Sequence, residues 1–219
     1  MKNCLNEYRQ LLLNYGLKML TDNLTTGTGG NISVALRDEG VIAITPSGID
    51  YDQLEPADIS LIDFDGRRLE GEKPSSEWQL HLKLYNLRPE INAVVHTHSR
   101  FATTLALLNQ PLPACHYLIG VAGCKEIRVA PYATFGTEEL AEKTAAALGS
   151  TDRCILMANH GLIAIGNGLA SAYDTALYIE EVAELYHRAR AIGKPVILND
   201  QEMNEALIRF QSYGRNQNP

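Results

Sequence analysis

Two histidines stand one residue apart at the end of an apolar run: His96 and His98, in "INAVVHTHSR". The run reads as a buried strand, where alternate side chains leave the same face. These two imidazoles would therefore start roughly 6–7 Å apart at their Cα atoms. That spacing suits convergence on one tetrahedral cation. It equally suits two polar residues leaving a sheet edge, and the pair alone leaves both open. A third donor decides. His81 and His187 fall inside amphipathic helical patterns and read as surface or core-edge residues, while His116 sits beside Tyr117 in an irregular stretch. His160 differs: in "ANHGLIAIG" it lies at a turn between two strand-like runs, where a side chain is held at a fixed position. His96, His98 and His160 would offer three neutral imidazoles and leave a coordination position open, the pattern of a catalytic zinc centre and not of a closed structural one.

Three short stretches share another character: "TGTGGNIS", "TPSGID" and "KPSSEW". Each supplies small residues whose backbone N–H groups can approach an anion, with a hydroxyl or amide nearby. Taken singly, each reads as a plain turn or cap; together they tilt toward a phosphate site. Ser75 and Ser76 fall at an expected helix start, where free N–H groups favour negative charge. Glu77 follows them. It reads either as a first-turn acid complementing the helix dipole or as a general base beside a metal and an anion.

The elements that must carry these residues alternate along the chain. Leu5, Tyr8, Leu12, Leu13, Leu17 and Leu20 recur at helical spacing near the N-terminus. Strand-like runs follow ("NISVAL", "VIAIT", "DISLIDF"), with Asp65-Gly66 as a hairpin turn before "RRLEG". A helix is expected over "PSSEWQLHLKLYNL", a strand over "INAVVHTH", and a helix capped by Ser99 over "SRFATTLALLN". Beyond the prolines at 111 and 113 come a strand "EIRVA", a helix from Thr137 to Leu148, paired strands "RCILMAN" and "GLIAIG", a long helix over 169–192 and a last one near 201–211. Interleaved strands and helices, several strands consecutive, predict a single α/β or α+β layered domain over 1–219 with a central mixed/antiparallel sheet flanked by helices.

Composition narrows the function classes. With 219 residues, 45% of them hydrophobic, the chain has material for one sizeable core. Net charge is −7 and the basic residues are dispersed, so no footprint for nucleic acid is visible. No apolar run is long enough for a membrane span, and the N-terminal segment lacks a signal-peptide pattern. Scattered Cys4, Cys115, Cys124 and Cys154, with no CxxC pair, read as reduced thiols of a cytoplasmic protein.

The ordered set "GGNISV", "AITPSGIDY", "GEKPSSEWQLH", "VVHTHS", "ACHYLIG", "APYATFGT", "NHGLIA" and "QSYG" resembles the class II, zinc-dependent sugar-phosphate aldolases over nearly the whole chain. The resemblance implies the class II aldolase/adducin-like fold and a metal held by His96, His98 and His160, with Glu77 as catalytic acid/base that can also touch the metal. It implies phosphate binding by Gly30, Asn31, Ser47, Gly48, Ser75 and Ser76. Tyr117 would donate a proton from a neighbouring subunit, and Tyr213 would sit on a mobile C-terminal tail (about 211–219) of a homotetramer with inter-subunit sites. The implied reaction is reversible cleavage of a ketose 1-phosphate, L-fuculose 1-phosphate first, through a metal-stabilised enediolate to dihydroxyacetone phosphate and L-lactaldehyde. Zn²⁺ is the implied ion, one per subunit, with Mn²⁺ as an alternative, and the setting is fucose metabolism. Aldolases for 5-deoxyribulose 1-phosphate or methylthioribulose 1-phosphate share the same site pattern. L-Ribulose-5-phosphate 4-epimerases usually carry aspartate where this chain has Glu77, and non-catalytic adducin-like relatives lose the metal histidines.

Overall fold

The central β-branched and leucine runs form strands buried on both faces, which is what a sheet covered on both sides requires. The computed structural model describes residues 2–212. In chain order the elements are α1 (Lys2–Thr21), β1 (Asn31–Leu36), β2 (Val41–Ile44), β3 (Ser60–Asp63), β4 (Arg68–Glu70), α2 (Trp78–Leu87), β5 (Ala93–Thr97), α3 (Arg100–Leu107), β6 (Val129–Ala130), α4 (Glu138–Leu148), β7 (Cys154–Met157), β8 (Gly161–Gly166), α5 (Leu169–Ile192) and α6 (Asp200–Ser212). The sheet runs β4-β3-β2-β1-β5-β8-β7-β6. All its pairs are antiparallel except β6 with β7. The expected α/β layering with a mixed sheet is what forms.

Each face of the sheet has its own core. Ile32, Val34, Val95, Leu156 and Leu162 pack with Leu12 of α1, Leu105 of α3 and Tyr173 and Ile179 of α5. On the opposite face Ile42, Val94, Ile155 and Ile163 pack with Leu80, Leu84 and Tyr85 of α2 and Leu140 of α4. Strand alternation sends Asn31, Ser33 and His96, the immediate neighbours of Ile32 and Val95, to this second side. The long helix over 169–192 and the strand pair meeting at His160 lie where the sequence puts them.

Several element ends differ from the expected ones. β5 stops at Thr97, so His98 leaves the sheet just past its end. α2 begins at Trp78, later than Pro74, because the preceding segment is tied elsewhere: Ser75 N–H donates to the Thr45 carbonyl at 3.0 Å, and Ser47 N–H to that of Lys73 at 3.0 Å. Ser99 occupies the cap position of α3 but makes no side-chain cap; Glu180 of α5 does that work, accepting from the N–H groups of Phe101 and Ala102 at 2.8 Å each. The strand expected over "EIRVA" shortens to Val129–Ala130. Tyr213 and most of the tail lie outside the described residues.

Candidate active site

His96 projects from β5 toward α2, and its ring is set by β8: Nδ1 donates to the Leu162 carbonyl at 2.9 Å, leaving Nε2 to face inward. His98, just past β5, brings its Nε2 to 2.9 Å from that of His96. His160 arrives from the β7–β8 turn, closed by its own N–H on the Met157 carbonyl at 3.1 Å. Asn159 takes φ 56° there, a left-handed conformation that asparagine tolerates better than most residues. The ligating nitrogens of the three rings all lie within 4.8 Å of one another.

Glu77 enters from the other layer. It stands at the N-cap of α2, but its carboxylate turns away from the helix dipole and into the histidines. Oε2 is 3.1 Å from His96 Nε2 and Oε1 is 3.3 Å from His160 Nε2. Asn31 Nδ2 donates to Oε2 at 2.9 Å, whereas the buried Oε1 has no hydrogen-bond partner among the described residues.

Glycine makes the convergence possible at two points. At Gly161 a Cβ would sit 2.3 Å from the Thr97 carbonyl and 3.0 Å from the His98 ring. At Gly30 (φ +68°) a Cβ would lie 2.6 Å from the His96 carbonyl, so a side chain there would be both strained and blocked.

The protonation pattern shows what the cluster lacks. Burial pushes His98 and His160 down, with His96 adding to the effect, to about 3 and about 4, so both rings are neutral donors. Burial pushes Glu77 up, but the charge and hydrogen bond of His96, with His160 and Asn31, hold it well below the usual carboxylate range. For His96 burial works downward, and Glu77 outweighs it to leave the pKa raised. A neutral His96 has already committed its one N–H to Leu162, so its Nε2 faces the Glu77 carboxylate oxygen lone pair to lone pair at 3.1 Å unless a positive centre joins them. In the bare chain a proton on His96 serves. Three inward nitrogens beside a buried carboxylate fit a divalent cation in the same role.

Around this cluster lies a cavity of about 540 Å³. Its wall brings together all three glycine- and serine-rich stretches: Gly30 and Asn31, Ser47 and Gly48, Ser75 and Ser76, alongside Glu77, His98 and His160. Asn31 differs from the others, because both ends of its carboxamide are engaged inward, by Glu77 and by His81 Nε2 at 2.5 Å. Tyr117 does not line this cavity; it is exposed, in a 3-10 turn (117–122), stacked on Phe210 with centroids 6.2 Å apart. Tyr132 and Phe135, which lie in the stretch "APYATFGT" but have no role assigned from sequence, form an exposed aromatic rim. His81 corrects the expectation of a surface or core-edge residue: it is fully buried, hydrogen-bonded to Asn31 and, through Nδ1 at 2.6 Å, to Ser33.

A profile of the family described as Class II Aldolase and Adducin N-terminal domain matches residues 10–187. The 5-deoxy-D-ribulose 1-phosphate aldolase of Bacillus thuringiensis serovar kurstaki is 46% identical over 96% of this chain and 99% of its own. The L-fuculose phosphate aldolase of Escherichia coli O6:H1 is 43% identical over 95% of this chain and 96% of its own. A solved L-fuculose 1-phosphate aldolase superposes with a TM-score of 0.89 at 45% identity, covering 93% of this chain and 95% of that one. With sequence, fold and histidine cluster in agreement, the chain belongs to the class II aldolase family.

Proposed function

We propose that the chain is a metal-dependent lyase that reversibly cleaves a ketose 1-phosphate ending in a methyl group, releasing dihydroxyacetone phosphate and a short aldehyde. L-Fuculose 1-phosphate would give L-lactaldehyde; 5-deoxyribulose 1-phosphate, one carbon shorter, would give acetaldehyde. The observation that carries this is the convergence of three imidazole nitrogens and one buried carboxylate beside a cavity that also gathers three anion-suited loops. The second substrate is kept because relatives with either name match at 46% and 43% identity. A rim of Tyr132 and Phe135 offers a terminal methyl an apolar surface in both cases.

The phosphate sits against the backbone of Gly30, Ser47 and Gly48 and the hydroxyls of Ser75 and Ser76. This fixes the reacting carbons relative to Glu77. A divalent cation, zinc first and Mn²⁺ as the alternative, held by His96, His98 and His160 with Glu77 able to add an oxygen, supplies Lewis acidity toward developing negative charge. Glu77 moves the proton at C3: Oε1, the oxygen with no hydrogen bond, takes it in condensation and returns it in cleavage, while Oε2 stays anchored to Asn31. As the C3–C4 bond breaks, the electron pair remains on C3 and the C4 hydroxyl proton leaves. Tyr117 of a neighbouring subunit serves that oxygen, donating a proton to it in condensation, and Tyr213 is a further catalytic residue of the same reading. In this reading residues 1–219 act as one domain and the working unit is a cytoplasmic homotetramer, in which Tyr117 of one subunit serves its neighbour's site. No helix among the described residues is long and apolar enough to cross a membrane.

The test incubates purified, zinc-loaded protein with dihydroxyacetone phosphate and either L-lactaldehyde or acetaldehyde. Condensation with at least one of them, at a kcat/KM of about 10⁴ M⁻¹s⁻¹ or above, is expected. No condensation with either aldehyde, and none with glycolaldehyde or methylthioacetaldehyde, overturns the reading.

A further inference from the structure

Behind Glu77 a single file of polar groups crosses from the cavity into the second core. Asn31 Nδ2 meets Glu77 Oε2 at 2.9 Å; Asn31 Oδ1 meets His81 Nε2 at 2.5 Å; His81 Nδ1 meets Ser33 Oγ at 2.6 Å; Ser33 Oγ meets Tyr85 OH at 2.7 Å. Two periodicities build it. Residues 77, 81 and 85 recur every four along α2 and share its inner face, while 31 and 33 alternate on the facing side of β1. Asn31, Ser33, His81 and Tyr85 are at most 4% exposed, so no bulk water can substitute for a missing partner.

The file has one consistent direction. A carboxylate only accepts, so Asn31 must present its amide nitrogen to Glu77 and its oxygen to His81. That oxygen accepts, so the His81 hydrogen is on Nε2. A neutral ring carries only one, so Nδ1 accepts from the Ser33 hydroxyl, whose oxygen in turn accepts from Tyr85. Burial keeps the ring neutral, its pKa pushed down to about 3. Turning the Asn31 carboxamide over would set oxygen against carboxylate and N–H against N–H, two faults in a dry site.

We infer that His81, its Nε2–H tautomer set by Ser33 and Tyr85, is a positioning residue that locks the Asn31 carboxamide and thereby holds the Glu77 carboxylate with Oε1 free for proton transfer. The inference rests on the base role proposed for Glu77. It adds a device, remote from substrate, that decides which carboxylate oxygen works.

The test has two arms. In the first, full-length protein labelled with 15N-histidine is studied with and without zinc, the His81 signal being assigned by its loss in His81→Gln. A neutral ring protonated at Nε2, persisting from pH 8 down to 5, is expected; an Nδ1–H ring or an imidazolium overturns the inference whatever the activity. In the second, exchange of the C3 proton of dihydroxyacetone phosphate with D₂O reads the base directly, in the absence of aldehyde. His81→Leu, close in volume but without hydrogen bonds, should keep zinc and slow exchange about 10–100-fold with KM within about twofold. His81→Gln, which restores a donor toward Asn31, should recover at least about tenfold of that loss. Ser33→Ala, farther along the file, covers the case in which His81→Leu fails to fold and should slow exchange several-fold. Normal exchange in a folded, zinc-replete His81→Leu or Ser33→Ala protein contradicts the inference. Wild-type protein that exchanges no proton, yet shows the Nε2–H ring, refutes the aldolase reading and leaves the tautomer assignment standing.

Discussion

The two faces of the sheet solve different problems with the same strands. Toward α1, α3 and α5 the face is apolar from Ile32 through Val95 to Leu162, and its side chains contribute packing. Toward α2 the face is apolar at its flanks but carries Asn31, Ser33 and His96 in its middle, met by Glu77, His81 and Tyr85. Buried polar groups of this kind often stabilise a fold no more than apolar residues of the same shape would, and a fully paired network specifies one arrangement. One face can therefore lose atoms and keep its chemistry, whereas the other can keep its shape and lose it.

Substitutions can separate the two. The largest effect is expected for His98→Ala, which removes one of three inward nitrogens; both bound zinc and turnover should vanish, checked by metal analysis and assay of the same preparation. Glu77→Gln should retain zinc and fold yet lower kcat about 10²–10⁴-fold, the range for a general base. Near-normal rates in that variant would falsify the base assignment. On the opposite face, Leu156→Ala should cost about 2–5 kcal/mol in denaturant unfolding with kcat little changed. A loss of turnover there without a loss of stability would erase the distinction between the faces.

A smaller, graded effect follows from protonation. His81, His98 and His160 are pushed from the ordinary imidazole value of 6.5 to about 3, about 3 and about 4. Between pH 6.5 and about 4 the unfolded chain thus binds more protons than the folded one, and stability must fall as pH falls. Glu77, also lowered, acts in the same direction below its ordinary 4.5, while His96, raised, contributes stability that is lost as pH rises past 6.5. Melting of metal-free protein should therefore drop steadily on acidification from pH 6.5 to 4.5, and a flat profile would mean that the rings are not buried neutral. Least disruptive of all should be Tyr213→Phe, expected to lower kcat several-fold and leave the melting temperature unchanged.

Much of this was legible in the chain itself. The long helix expected over about 169–192 forms there, and the turn placing His160 follows from two apolar runs with Asn-His-Gly between them. What periodicity cannot supply is the identity of the facing element. His81 lies 50 residues from Asn31 and 48 from Ser33 in sequence. Nothing in an amphipathic helix says that its inner face meets polar strand residues instead of leucine. The same limit hid Glu180 as the cap of α3, because its partners are 78 and 79 residues away. Glu77 kept two readings until the preceding loop, tied to Thr45, turned its carboxylate into the histidines.

The whole account depends on those three rings sharing one cation next to Glu77. Metal analysis of wild-type protein dialysed against micromolar zinc, beside His98→Ala treated identically, tests it most directly. About one zinc per chain in the first and none in the second is the predicted result; equal metal content in the two, or none in either, contradicts it.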